Sequence, residues 1–238
     1  RFTWQSLGGC TTLNSGNCNN NRFRNYTPRH KSNFFEWMRN LQFDQSTPLR
    51  VSLDRAGKFL QTDAAWAANP NPFTSSGGNG ATVTSPVLAC RPSFHIMMTD
   101  GMWNGANGSP SGTLQPDHSS FALPDGSSYN GSRSPYADTT ENTLADLAMH
   151  YWSTDLRPTI DNELKPFNRF TSISAEEQYW DPRNNPATWQ HMVNFTVGLS
   201  LTSALDQAGL EWTGSTFAGA AYQNLLSGSE DWPAAGVS

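Results

Sequence analysis

Short stretches of strong hydrophobic order alternate along the chain with long stretches that have none. The most continuous apolar run, Ser93-Phe94-His95-Ile96-Met97-Met98-Thr99, stops abruptly at Asp100-Gly101. An apolar run bounded by turn residues predicts a buried strand of a parallel sheet. The carboxyl end of such a strand is where open α/β sheets place ligand sites, so Asp100 stands where binding chemistry is expected. The competing reading is a plain Asp-Gly turn after a core strand. A second strand is predicted over Met192 to Leu199, where Val193, Phe195, Val197 and Leu199 alternate with Asn194 and Thr196. A third is predicted over Arg1 to Leu7, with Phe2 and Trp4 on one face.

Helical spacing appears in three places. Asn33 can cap a helix with Glu36 three residues later, and Phe34, Trp37, Met38 and Leu41 then form a stripe that must be core. Thr47 is placed to cap the next helix and Pro48 suits its first position, with Leu49, Leu53, Ala56 and Leu60 on the buried side. Thr143 to Leu156 is the third, with Leu144, Leu147, Ala148, Tyr151 and Trp152 on one side and Pro158 closing it. A short helix is expected around Ala218 to Leu226. Cys10 to Asn25 and Asn69 to Pro86 read as loops, and Asp161 to Thr188 as a polar stretch. Met102 to Asn142 is almost continuous turn chemistry, and an insertion of that length without structure is characteristically functional or disordered. Strand, helix, helix, strand, helix, strand predicts an α/β fold in one domain, residues 1–238, with a mostly parallel sheet covered by helices on both faces.

Charge narrows the partners. The 238 residues carry 15% charged side chains and a net charge of −5, and no basic run gives a nucleic-acid surface or an anionic membrane anything to bind. No stretch approaches the apolar length of a membrane span. Arg1 begins mid-pattern, which points to a piece of a longer chain. Abundant Asn, Ser, Thr, Gly, Pro and Trp with little Lys is a mix common in extracellular proteins. Cys10 and Cys18 flank a Gly/Asn/Thr-rich loop and can close a short disulfide in an oxidising compartment. Cys90 is left over and is expected to be a buried thiol.

Most catalytic patterns fail. Gly108-Ser109-Pro110-Ser111-Gly112 has proline where a hydrolase nucleophile is needed, and the five histidines show no zinc spacing. His95, His150 and His191 read as structural. Glu176-Glu177 and Asp138 read as solvated loop charges, although a spatially assembled carboxylate pair is not visible in sequence. Oxygen ligation of a hard cation fares better. A hydroxyl at a helix N-terminus, Thr47, and a carboxylate at the end of a neighbouring strand, Asp100, would meet at one edge of a parallel sheet, where Mg²⁺ or Ca²⁺ can keep a position open for a partner's carboxylate.

Seven segments, in order, resemble one family: Phe34-Phe35-Glu36-Trp37, Ser46-Thr47-Pro48-Leu49-Arg50, Cys90-Arg91-Pro92-Ser93-Phe94, Met98-Thr99-Asp100-Gly101-Met102-Trp103-Asn104, Thr143-Leu144-Ala145-Asp146-Leu147-Ala148-Met149, Tyr151-Trp152-Ser153-Thr154-Asp155-Leu156 and Trp189-Gln190-His191-Met192. They are similar to the von Willebrand factor A-like domain of PilC/PilY-type pilus tip proteins, from about Phe2 to about Trp232. The resemblance implies a Rossmann-like α/β fold in a large bacterial surface protein at the tip of the type IV pilus. It implies roles in pilus assembly, adhesion to host or abiotic surfaces, twitching motility and surface sensing, with minor pilins as partners and passage through the periplasm and outer membrane. Such domains hold a divalent cation with an Asp-x-Ser-x-Ser loop, a threonine and an aspartate; Thr47 resembles that threonine and Asp100 that aspartate. The loop itself has no match, since Asp44-Gln45-Ser46 lacks the second serine and directly precedes Thr47. The family's first strand and helix are expected before Arg1, and its β-propeller after Trp232. Trp103 and Asn104, just past Asp100, are the expected partner-binding loop. Two further classes stay open: a metal-free assembly platform docking minor pilins, and a carbohydrate-active enzyme or lectin using exposed tryptophans such as Trp103.

Overall fold

A computed structural model describes residues 35, 38–39, 49–66, 87–100, 116–171, 174–199, 209, 211–212 and 217–230. The chain gathers into two compact units, Arg1–Gln45 with Leu60–Ala89, and Ser46–Phe59 with Cys90–Ser238. The expected strand at Arg1 to Leu7 and the loops Cys10 to Asn25 and Asn69 to Pro86 lie outside the described residues.

In the first unit, Phe35, Met38 and Arg39 are helical, as the spacing from Asn33 predicts. Met38 is nevertheless 42% exposed, which corrects its place in the expected core stripe: periodicity finds the apolar face of a helix but not what covers it. Trp66 closes the short helix Asp63–Trp66. It is fully buried, its indole N–H donates to the Leu60 carbonyl at 2.7 Å, and its own carbonyl accepts the Leu88 N–H at 2.8 Å. Cys90 begins the second unit as an exposed free thiol, not a buried one, because it sits in the turn ahead of the strand and not in the strand itself.

The second unit is built around helix α1 (Leu49–Leu60), strand β1 (Phe94–Thr99), a β2/β3 hairpin (Phe121–Ala122 and Ser128–Tyr129) and helix α3 (Leu144–Ser153). In this numbering α2 is the Asp63–Trp66 turn. Helix α4 (Ala175–Tyr179), strand β4 (Val193–Gly198), a β5/β6 pair (Glu211–Trp212 and Phe217–Ala218) and helix α5 (Ala220–Ser227) follow. β1 and β4 pair in parallel, with Phe94 opposite Val193 and Thr99 opposite Gly198. The parallel direction is the one the sequence predicts; the burial is not. Met97 is buried, but Phe94, Ile96 and Met98 are more than 60% exposed, and Phe195, Val197 and Leu199 join them at 40–50%. Packing reaches the Met97 face of β1, and in β4 both faces are exposed from Phe195 onward. An apolar run reports that a strand is hydrophobic on both sides, and that alone does not place a layer on each.

Helix α3 starts where a capping box puts it. The Thr143 hydroxyl accepts the Asp146 N–H at 3.0 Å and the Asp146 carboxylate accepts the Thr143 N–H at 2.7 Å, which satisfies donors the helix leaves orphaned. Leu147 and Tyr151 are buried. The Tyr151 hydroxyl crosses to α1 and donates to the Asp54 carboxylate at 2.7 Å, while Lys58 pairs with the other Asp54 oxygen at 2.6 Å. This crossing needs Gly57, since a Cβ there would fall inside the Tyr151 ring.

Downstream of α3, an aromatic cluster forms from Leu123, Tyr129, Trp180, Ala187 and Trp189, with Phe121, Tyr136, Met149, Trp152 and Tyr179 against it. Within it Trp152 meets Trp189 edge-on at 5.6 Å and Trp180 at 6.1 Å, the geometry that adds about 0.5–1.5 kcal/mol per pair beyond burial. The polar handles are paired: Trp189 Nε1 donates to the Trp152 carbonyl at 2.8 Å, Trp152 Nε1 to Asn185 at 3.0 Å, and the Tyr136 hydroxyl to the Trp180 carbonyl at 2.6 Å. So the described part of the Met102 to Asn142 insertion, residues 116–142, is not structureless: its aromatic and leucine side chains are core. The polar stretch Asp161 to Thr188 likewise carries α4, opened by a Ser174/Glu177 capping box, and a bridge between Phe167 and Asn185.

Replacing Gly57 with alanine is expected to destabilise the protein by about 1–3 kcal/mol, because the added methyl forces Tyr151 off its place against α1. A lower urea midpoint with an unchanged slope would show it; an unchanged midpoint would mean that the two helices can separate freely.

Candidate functional site

The carboxyl edge of the β1/β4 pair is the natural place to look for a site. The Thr99 carbonyl accepts the Leu199 N–H at 2.8 Å, the last rung of the ladder. Asp100 comes next and is exposed, so its carboxylate is open to solvent just where pairing ends. Helix α1 opens at Leu49, which is buried. Thr47, two residues upstream, lies outside the described residues, as do Trp103, Asn104, Cys10 and Cys18. The structure thus places one of the expected ligands, Asp100, at the sheet edge. Among the described residues, no three His, Cys, Asp or Glu side chains converge as a metal cage does.

Two of the described histidines, His95 and His191, have hydrogen-bond partners within the protein. His95 Nδ1 lies 3.0 Å from the Asn194 amide oxygen across the parallel pair, its register partner. His191 is buried, with Nδ1 2.7 Å from the Trp189 carbonyl and Nε2 2.9 Å from the Asn185 amide nitrogen. A carbonyl requires a donor and an amide N–H₂ an acceptor, so these partners select the neutral Nδ1-H tautomer. Burial pushes the His191 pKa below its ordinary value, partly opposed by the bond to Trp189. His150 is lowered too, by burial, with Asp54 opposing.

Acidic residues carry the largest correction. Asp138 is buried, not solvated, and so are Asp117 and Asp146. Glu176 and Glu177 are exposed but belong to α4, where Glu177 completes the cap and Glu176 pairs with Arg133. Arg133 also lies 5.2 Å over the Trp180 ring. An open cleft of about 420 Å³ separates the β2 region from the end of α3, lined by Pro116, Phe121, Leu123, His150 and Asp155 among others. Of the tryptophans that suggested a sugar-stacking surface, Trp66, Trp180 and Trp189 are buried in cores.

Comparison with known proteins supplies the context of this edge. The chain is 48% identical over 235 residues to the type IV pilus biogenesis factor PilY1 of Pseudomonas aeruginosa strain UCBPP-PA14, covering 98% of the chain and 19% of that protein. The chain is homologous to one segment of PilY1. The PilY1 proteins of strains PAK and PAO1 are 44% and 42% identical over 98% and 99% of the chain. The chain therefore spans about a fifth of the length of these relatives. Each of these relatives is a type IV pilus biogenesis factor. No protein-family model matches the chain, and no solved structure does.

His191 is expected to remain neutral below the ordinary histidine value of about 6.5. A base whose folded pKa is lowered contributes stability that is present above its unfolded pKa and lost as the pH falls below it. An NMR titration of the His191 imidazole reads this directly; a midpoint at or above 6.5 would mean that burial does not hold the ring neutral.

Proposed function

We propose that this chain is a von Willebrand factor A-like domain of a type IV pilus biogenesis factor and adhesin, displayed on the bacterial surface at the pilus tip after passage through the periplasm and outer membrane. The observation that carries the reading is the match of nearly the whole chain to PilY1 at 42–48% identity. Asp100, exposed at the carboxyl end of a parallel strand, supports a binding role for that edge. In this reading Asp100 and Thr47 contribute to a divalent-cation site, with Mg²⁺ or Ca²⁺ as the ion and the Asp-x-Ser-x-Ser loop supplied from outside these residues. The cation would complete its shell with an acidic group of the surface ligand, next to Trp103 and Asn104. The task is mechanical: holding a partner at the pilus tip for attachment, twitching motility and surface sensing.

A second reading is favoured by the exposed apolar side chains of β1 and β4. A surface this hydrophobic suits protein docking, and a domain that binds minor pilins through it needs no metal.

The experiment is Asp100→Ala in the intact protein, read by bound divalent metal and by metal-dependent attachment of cells. The expected loss exceeds the roughly 10–100-fold in metal affinity that removal of a mere supporting group costs. Unchanged metal content and unchanged attachment would sink the metal reading, and minor-pilin binding that survives EDTA would select the docking one. Thr47→Ala separates ligand from helix cap: a cap alone costs about 1 kcal/mol of stability and leaves metal untouched.

A further inference from the structure

Two aspartates meet under the N-terminus of α3, one of them held by the backbone N–H of a third, Asp138. Asp117 lies in the single 3₁₀ turn Pro116–His118 and is 3% exposed; Asp146, in the first turn of α3, is 1% exposed. One oxygen of each carboxyl is engaged. Asp117 Oδ2 accepts the Asp138 N–H at 2.9 Å, and Asp146 Oδ2 accepts both the N–H and the hydroxyl of Thr143 at 2.7 and 3.0 Å. The other two, Asp117 Oδ1 and Asp146 Oδ1, are buried and take no donor from the protein. The two carboxyl groups lie within hydrogen-bonding reach of each other.

Two buried carboxylates in contact cannot both stay ionised without a compensating charge. One proton between them removes the repulsion and supplies the donor that both bare oxygens lack. We propose that Asp117 and Asp146 share a single proton and form a pH-sensitive latch, which fastens segment 116–138 to the first turn of α3 and loosens as the pH rises through neutrality. Burial first, and then the contact with Asp117, push the Asp146 carboxyl up to about 7.

The groups around the pair fit this role. From the hairpin, the Tyr129 hydroxyl donates to the Asp117 carbonyl at 2.8 Å, and burial together with the nearby Asp117 raises the tyrosine's own pKa. From the following loop, the Asp138 carboxylate accepts the Thr140 N–H. Of the cations on neighbouring elements, Arg50 of α1 donates to the Asn142 carbonyl at 2.9 Å and Arg133 pairs with Glu176. What the latch fastens matters, because Pro116, Phe121 and Leu123 form one wall of the cleft and His150 and Asp155 the other. Opening the Asp117–Asp146 contact loosens the Pro116 end of the first wall, while Phe121 and Leu123 stay held by the aromatic cluster.

An acid whose folded pKa is raised binds its proton more tightly when folded, so its contribution is full below the unfolded value and is lost as the pH rises through the folded one. The window runs from about 4 to about 7. The slope is opposite in sign to that from His150 and His191, which makes the two separable. Hydrogen–deuterium exchange of the α3 amides in the intact protein, corrected for the intrinsic pH dependence of exchange, tests it. Protection is expected to fall about 30-fold between pH 5.5 and 8, the equivalent of about one and a half pKa units. Asp146→Asn and Asp117→Asn each place an amide N–H on the partner's bare oxygen in place of the proton. Both variants are expected to keep the low-pH protection at pH 8 and to lose the downward slope. Wild-type protection that is flat or rises over this range overturns the latch. So does protection at pH 8 that millimolar Ca²⁺ restores and EDTA removes, since a cation and not a proton would then join the pair.

Discussion

Four consecutive residues, Trp189 to Met192, are buried completely or nearly so, and the rest of the second unit is arranged around that fact. Backbone and side-chain polar groups taken out of water must be paired within the protein or cost about 1–3 kcal/mol each. The partners come from far along the chain. The Gln190 carbonyl accepts the Leu156 N–H, the Tyr151 carbonyl accepts the Met192 N–H, and the Thr188 carbonyl just upstream accepts the Leu164 N–H. Trp189 and His191 tie the same segment to Trp152 and Asn185. One short segment thus fastens α3, the loop after it and the aromatic cluster together before delivering the chain into β4.

That attachment sets the register of the parallel pair. The Ser93 carbonyl accepts the Val193 N–H at 3.0 Å, directly after the buried segment, and each following rung places Asp100 one step beyond the last pairing. The position of the exposed carboxylate is therefore inherited from a core about ninety residues later in the sequence. Polar loops carry the reverse dependence: residues 116–142 fold because Tyr129 and Leu123 reach that core, not because the loop has periodic structure of its own.

How much of this was legible in sequence follows from what each signal encodes. Helices α1 and α3 and strands β1 and β4 were readable, because each carries its own periodicity and its own cap or turn. Even the parallel direction was readable, from the near-continuous apolar run. The exposure of Phe94, Ile96 and Met98 was not, since hydrophobicity states a preference and the covering layer is a tertiary fact. Helix α4 could have been found, as Ser174 and Glu177 form a capping box by spacing alone; its brevity and its polar setting hid it. Asp138 was misread because a lone acid in a turn-rich stretch is ordinarily solvated. Nothing local shows that Asp117 and Asp146, 29 positions apart, will share a buried site. Cys90 was misplaced for the opposite reason: small apolar-like residues favour cores in general, but a turn preceding a strand is at the surface.

The acidic residues show why residue type alone identifies no site. Asp54 is buried and answered by Tyr151 and Lys58, so its charge is spent on joining two helices. Asp181 is held below the usual carboxylate range first by the hydrogen bond from Arg183, against some burial, and does no more than shape a turn. Asp117 and Asp146 are buried against each other, and burial with that contact raises the pKa of the Asp146 carboxyl. Asp100 is exposed at the end of a parallel strand, where a cation or a partner can reach it. A carboxylate can recruit an external ligand only where the fold leaves its lone pairs unanswered and accessible together. Of the five, Asp100 alone meets the second condition, so an external ligand can reach the sheet edge and cannot reach the buried pair.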